Sequence, residues 1–185
     1  MPEHASRRIW TARRQWLGNL LPLGLGVLIG IVLFPFGLFA QCIAGMFATW
    51  IGIGIWGFFA NGKIDREMRL AFGDKGELIG FVFARPSPLL DLHAEIGLLT
   101  LAENELRIIG EHEPVVIACS DVELVGRRFN LHSILVHRGW IVLKLSCGSE
   151  LKLESRKYPT MFRSSSRTNE LFRELQTWKH EKAPA

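Results

Sequence analysis

Between Arg14 and Lys63 the chain holds no Asp, Glu, Lys or Arg. An ordinary globular sequence is about a quarter charged, so a gap of this length excludes a water-facing surface over that block. A membrane-crossing helix needs roughly 20 mainly apolar residues, which leaves room for two spans and a tight turn. With no charge inside it, the block also offers no ion path or proton relay.

Cysteine is scarce. Cys42 lies in the apolar block, and Cys119 and Cys147 lie beyond it. An odd count without regular spacing excludes a disulfide framework and a CxxC metal knuckle. Reduced thiols in a cytosolic domain are expected; a Cys119–Cys147 bridge would require an oxidising compartment. Catalytic signatures are missing as well. The chain has no G-x-S-x-G, P-loop, HExxH or Rossmann glycine pattern, and single Ser, His and Asp residues without geometry make no triad. A non-enzymatic protein without a cofactor is expected. Nucleic-acid binding is excluded by charge distribution. The net charge of +4 owes much to Arg7, Arg8, Arg13 and Arg14, whereas a nucleic-acid footprint needs a dense basic face on a folded domain.

What is present divides into four parts: a basic arm over 1–15, a transmembrane helical hairpin over 16–60, an amphipathic connector over 61–75 and a soluble domain over 76–182. The hairpin turns at Pro35-Phe36-Gly37, where proline cannot continue a helix and glycine accepts a tight reversal. Spans over 16–34 and 39–60 follow, because backbone polar groups in hydrocarbon must be satisfied within the helix. Trp16, Trp50 and Trp56 suit an interfacial aromatic belt. Arginines precede the first span, and Lys63, Arg66 and Arg69 follow the second, so the positive-inside rule puts both termini in the cytoplasm. The start Ser6-Arg7-Arg8-Ile9-Trp10 resembles a twin-arginine signal, but the second apolar segment would stay behind as an anchor.

Small residues recur at helical spacing: Gly26 and Gly30 in the first span, Ala44, Ala48 and Gly52 in the second. Such stripes let helix backbones approach. Two uses stay open: packing the hairpin on itself, or association with another copy or a larger complex. In the connector, Ile64, Met68 and Ala71 share one helical face. Lying on the bilayer surface and forming a plain stalk are both compatible with that pattern.

From residue 76 the pattern turns to β. Strands are expected over 76–84, 94–101, 106–110, 115–119, 121–128, 140–145 and 151–155, separated by turn residues such as Glu111-His112-Glu113-Pro114. Ser164-Ser165-Ser166 then offers a helix cap, and Leu171, Phe172, Leu175 and Trp178 form an apolar helical face. The fold class expected is α+β.

About seven strands closed by one amphipathic helix, with the string from Val116 to Val125 (VIACSDVELV), resembles the pleckstrin-homology-like superfold, including bacterial PH-like and GRAM-like domains. The resemblance covers residues 76–180. It implies a β-barrel or sandwich that binds lipid headgroups, peptides or proteins, without choosing among them. The chain lacks the lysine-arginine pocket that phosphoinositide-binding members carry in the first hairpin.

Two polar constellations stand out. Arg127, Arg128, His132, His137 and Arg138 form a basic cluster with apolar neighbours Phe129, Leu131, Ile134 and Leu135. Across a hairpin they would make an anion site for lipid headgroups or an acidic partner; an ordinary solvated loop is the alternative. Asp91, His93 and Glu95, with Glu111, His112 and Glu113 downstream, would hold a divalent ion if brought together. No recognised ligand spacing is present, so no metal is expected. The reading is a membrane protein presenting a cytosolic PH-like domain to anionic lipid or a protein partner. Its alternatives are a small accessory subunit recognised through the hairpin and a metal-dependent enzyme using His93 and His112.

Overall fold

A computed structural model of the protein describes residues 8–73, 75–83, 95–129, 139–158 and 161–182. Helix α1 (Ala12–Val32) begins at Thr11, whose hydroxyl accepts the Arg14 N–H at 3.3 Å. That oxygen satisfies one of the amides a helix start leaves unpaired. A 3₁₀ turn (Phe34–Phe36) then leads to Gly37 at φ 93°, a backbone angle that favours glycine. Helix α2 (Leu38–Phe72) runs 35 residues without a break. The connector expected over 61–75 is, as far as Phe72, the last three turns of this helix.

The two helices pack antiparallel. Gly26 sits so close to α2 that a Cβ there would meet Thr49 Oγ1 at 1.8 Å and the Gly45 carbonyl at 2.5 Å. Gly52 lies against Pro22, and Ala48 is buried in the same seam. The opposite surfaces are bare and apolar: Phe39 is 80% exposed and Phe59 70%. Among the described residues one helix, α2, is long and apolar enough to cross a membrane, and α1 contributes a shorter apolar run, Leu20–Val32. The side chain of Trp56 lies outside the described residues.

The rest is a seven-stranded antiparallel sheet curled into a half-barrel: β1 (Glu77–Phe83), β2 (Glu95–Leu101), β3 (Glu105–Gly110), β4 (Val115–Ala118), β5 (Val122–Arg128), β6 (Trp140–Leu145) and β7 (Glu150–Ser155). Their order is β4-β3-β2-β1-β7-β6-β5, with β1 at the centre paired to β2 and β7. Alternation along each strand sends residues to two faces; the inner face is covered, and the outer face is covered in part. The inner face carries Ile79, Phe81, Ile108, Leu143 and Leu153. Helix α3 (Met161–Lys182) fills the curl with Leu171, Leu175 and Trp178. Each such side chain, fully buried, contributes about 1.5–3 kcal/mol. Trp178 Nε1 donates to the carbonyls of Ala102 and Glu103 at 3.0 and 3.2 Å, satisfying the one polar atom of a buried ring.

Helix α3 starts earlier than its serines suggest. Ser164 and Ser165 are buried inside the helix, and Ser164 Oγ donates to the Tyr158 carbonyl at 2.7 Å. Thr168, also buried, receives the Ser155 N–H at 3.1 Å. The side chain of Arg167 is 14% exposed and bonds Glu77 at 2.6 Å, with Glu170 and Glu174 beside it. Ser155 Oγ also donates to Glu77. Together these pin the start of α3 to the meeting point of β1 and β7.

Over β1 and β2 the outer face is covered by the hairpin's own base. Ile64 and Met68 of α2 pack with Leu78, Ile96 and Leu98 of β1 and β2, and Ile9 from the N-terminal arm joins them.

Candidate functional site

The basic cluster expected around β5 begins with Arg127 and Arg128. Arg127 points to the inner side. Its Nη2 donates to Asn169 Oδ1, and its guanidinium stacks 4.7 Å from the centroid of the Phe172 ring. Burial, with Arg173 nearby, lowers its pKa below the ordinary arginine value. Arg128 Nη1 lies 3.0 Å from Glu150 Oε2. Both arginines thus tie β5 to α3 and β7 as well as marking the end of the strand. His132, His137 and Arg138 lie outside the described residues, as do Leu131, Ile134 and Leu135. The ring of Phe129 lies where a Gly139 side chain would have to go.

Of the metal constellation, Asp91 and His93 lie outside the described residues. His112 Nδ1 is 3.3 Å from Glu95 Oε2, an exposed pair. Glu111 turns away to accept the backbone N–H groups of Ile9 and Trp10. Among the described residues no group of three His, Cys, Asp or Glu gathers as a metal site would require.

The small-residue stripe is used within the hairpin. Gly26, Ala48 and Gly52 face the partner helix, while Gly30 lies 3.6 Å (from an ideal Cβ) from the Gln41 carbonyl and Ala44 is half-buried. Thr49 Oγ1, which Gly26 makes room for, donates to the Gly45 carbonyl at 2.9 Å.

The junction of hairpin and sheet is a cluster that sequence reasoning missed. Arg14 of α1 makes two hydrogen bonds to Glu67 of α2, at 2.7 and 3.1 Å, and donates to the Ile9 carbonyl at 2.6 Å. The Glu67 hydrogen bonds raise the Arg14 pKa, against the opposing effect of burial. The Arg156 guanidinium sits 5.5 Å from the centroid of a Trp10 ring, and its Nε bonds Glu154 at 2.9 Å. Arg69 bonds Asp65 at 2.9 Å within α2 and reaches the Gly76 carbonyl at 3.3 Å. The arm, both helices, β1 and β7 are therefore held as one body. The signals available were the apolar pair Ile9-Trp10 and the Ile64-Met68-Ala71 face.

Register relates this junction to the basic cluster. Arg128 pairs with Trp140 and Ile141 with Leu153, so Arg127 and Arg128 lie at the same end of the sheet as the last residues of β7. The chain leaves that end toward Tyr158, whose carbonyl accepts from Asn61 Nδ2 of α2 at 3.5 Å. No protein-family model matches the chain, and no curated protein matches it.

Proposed function

We propose that this chain is a non-enzymatic, membrane-anchored binding protein. The hairpin of α1 and the apolar part of α2 crosses the bilayer with both ends in the cytoplasm, and a PH-like domain is held beneath it to engage anionic lipid or a protein partner. The observation that carries this reading is the continuity of α2. At about 1.5 Å per residue, its apolar stretch over 38–60 spans roughly 34 Å, which suits a hydrocarbon core of about 30 Å. The same helix then runs on into the buried cluster at Ile64 and Met68. Apolar surface as extensive as that around Phe39, Met46, Ile55 and Phe59 marks an interaction surface or a membrane one. The absence of charge from Arg14 to Lys63 favours lipid over a second protein, since interfaces carry a polar rim.

Seven antiparallel strands with a C-terminal helix filling the curl support the PH-like assignment. The shared sheet end of Arg127, Arg128 and the β7 exit supports placing that end of β5 toward the bilayer. Purification in mild detergent from alkali-washed membranes, followed by mass spectrometry of what stays bound, tests the reading. Retained anionic lipid without a stoichiometric protein supports it. A stoichiometric protein partner replaces it with the accessory-subunit reading. Because Gly26 and Gly52 pack inside the hairpin, that reading would need a different contact surface.

A further inference from the structure

The junction carries more positive charge than its own ion pairs use. One carbonyl marks its level: Tyr158 O accepts from Asn61 of α2 and from Ser164 of α3. The turn of α2 at Asn61, the connector after β7 and the first turns of α3 therefore meet at one height. Helix α1 joins them there. Arg14, at the start of α1, bonds Glu67 in the turns of α2 that follow Asn61. Directly beyond this level begins the exposed apolar surface of Phe59, Ile55 and Ile51.

Arg13 precedes Arg14, Lys63 and Arg66 follow Asn61, and Lys157 and Arg163 flank the Tyr158–Ser164 contact; all five are exposed. Their acidic neighbours are committed elsewhere: Glu67 to Arg14, Asp65 to Arg69, Glu154 to Arg156, Glu111 to backbone amides. Among the described residues none of these cations is in an ion pair. Lys157 Nζ also lies 5.7 Å from the Tyr158 ring centroid, which sets an aromatic ring beside a cation at the edge of the apolar surface, as interfacial anchors are arranged.

We propose that this collar binds the anionic phospholipid headgroups of the leaflet beneath which the domain sits. Lys157 and Arg163, carried by the domain instead of the hairpin, seat the sheet on that surface. The proposal rests on the membrane-anchored reading. It assigns the lipid contact to the rim of the anchor, in addition to any made by the β5–β6 loop. A basic residue at an anionic surface contributes at most about fivefold in binding, so losing both domain cations should remove most of a several-fold enrichment at low salt, and less as salt screens them.

The test uses the full-length protein in nanodiscs of phosphatidylcholine with a minor share of phosphatidylglycerol, prepared from alkali-washed membranes. Native mass spectrometry reads the ratio of the two lipids retained. The wild type should hold phosphatidylglycerol enriched several-fold over the bulk, Lys157→Gln/Arg163→Gln should lose most of that enrichment, and Lys157→Arg/Arg163→Lys should keep it. Enrichment absent from the wild type, or unchanged in the Gln variant, overturns the collar while leaving the anchor intact. Release of the chain by the alkaline wash overturns both.

Discussion

Replacing Met68 by Ala probes the joint between helix α2 and the sheet. Met68 is fully buried and touches the outer-face cluster of Ile64, Leu78, Ile96 and Leu98. Truncation removes three heavy atoms from a site that the sheet on one side and the helix on the other prevent from collapsing. Transfer of those atoms and the cavity left behind cost about 2–4 kcal/mol. If the end of α2 opens from the sheet as a local unit, the opening equilibrium shifts by roughly thirty- to several-hundred-fold, at about 1.4 kcal/mol per tenfold. Amide hydrogen exchange of the reconstituted protein reads this directly. Protection over residues 61–72 should fall by at least that lower factor, while β6 and β7 keep theirs. Leu70→Ala, at a side chain 80% exposed on the same helix, should change protection little, as surface substitutions stay within about 0.5 kcal/mol. Equal protection in the Met68 variant and the wild type would mean that the end of α2 stands off the sheet as a free stalk.

Further expectations concern the helices, the Arg167–Glu77 ion pair and a thiol. Gly26→Val should splay the hairpin, since its Cβ would meet Thr49 Oγ1 at 1.8 Å, whereas Gly54→Ala meets nothing within 4 Å; thermal melting in detergent should drop for the first variant alone. Arg167→Gln leaves the largely covered Glu77 without its cation and should cost about 1–3 kcal/mol in denaturant melts, while Arg163→Gln, exposed, should be close to neutral. The Cys147 thiol, in the β6–β7 turn, has its pKa lowered by hydrogen bonds from Ser149. Alkylation of Cys147 should therefore set in at lower pH than for a simple thiol, and Ser149→Ala should move the profile back up. Cys119, buried with its Sγ 3.9 Å from the Trp178 carbonyl, should react only on unfolding.

The strands were legible because alternation and turn residues are local signals. Trp140–Leu145 has the bounds expected from the sequence, and the others differ by a residue or so. The start of α3 was not, because Ser164 and Ser165 read as cap residues in isolation, and only the Tyr158 carbonyl and the Glu77 pair show that they face inward. The Ile64-Met68 face was visible, but an amphipathic stripe is the same pattern whether it meets a bilayer surface or a sheet. Arg127 and Arg128 show the limit for the candidate site. Sequence gives their charge and proximity, while the partners that engage them, Asn169, Phe172 and Glu150, come from elements tens of residues away. The small-residue stripe also left two uses open until Gly26 was seen against Thr49.

Membrane anchoring with the domain on the cytoplasmic side is tested most directly at Cys147, exposed in the β6–β7 turn. A Cys42→Ser variant leaves it the one exposed thiol among the described residues. A membrane-impermeant maleimide should label this variant in inverted vesicles, and in right-side-out vesicles only after permeabilisation, with the labelled chain remaining in the alkali-washed membrane. Labelling of intact right-side-out vesicles, or recovery of the chain in the alkaline supernatant, would contradict the anchored, cytoplasmic arrangement.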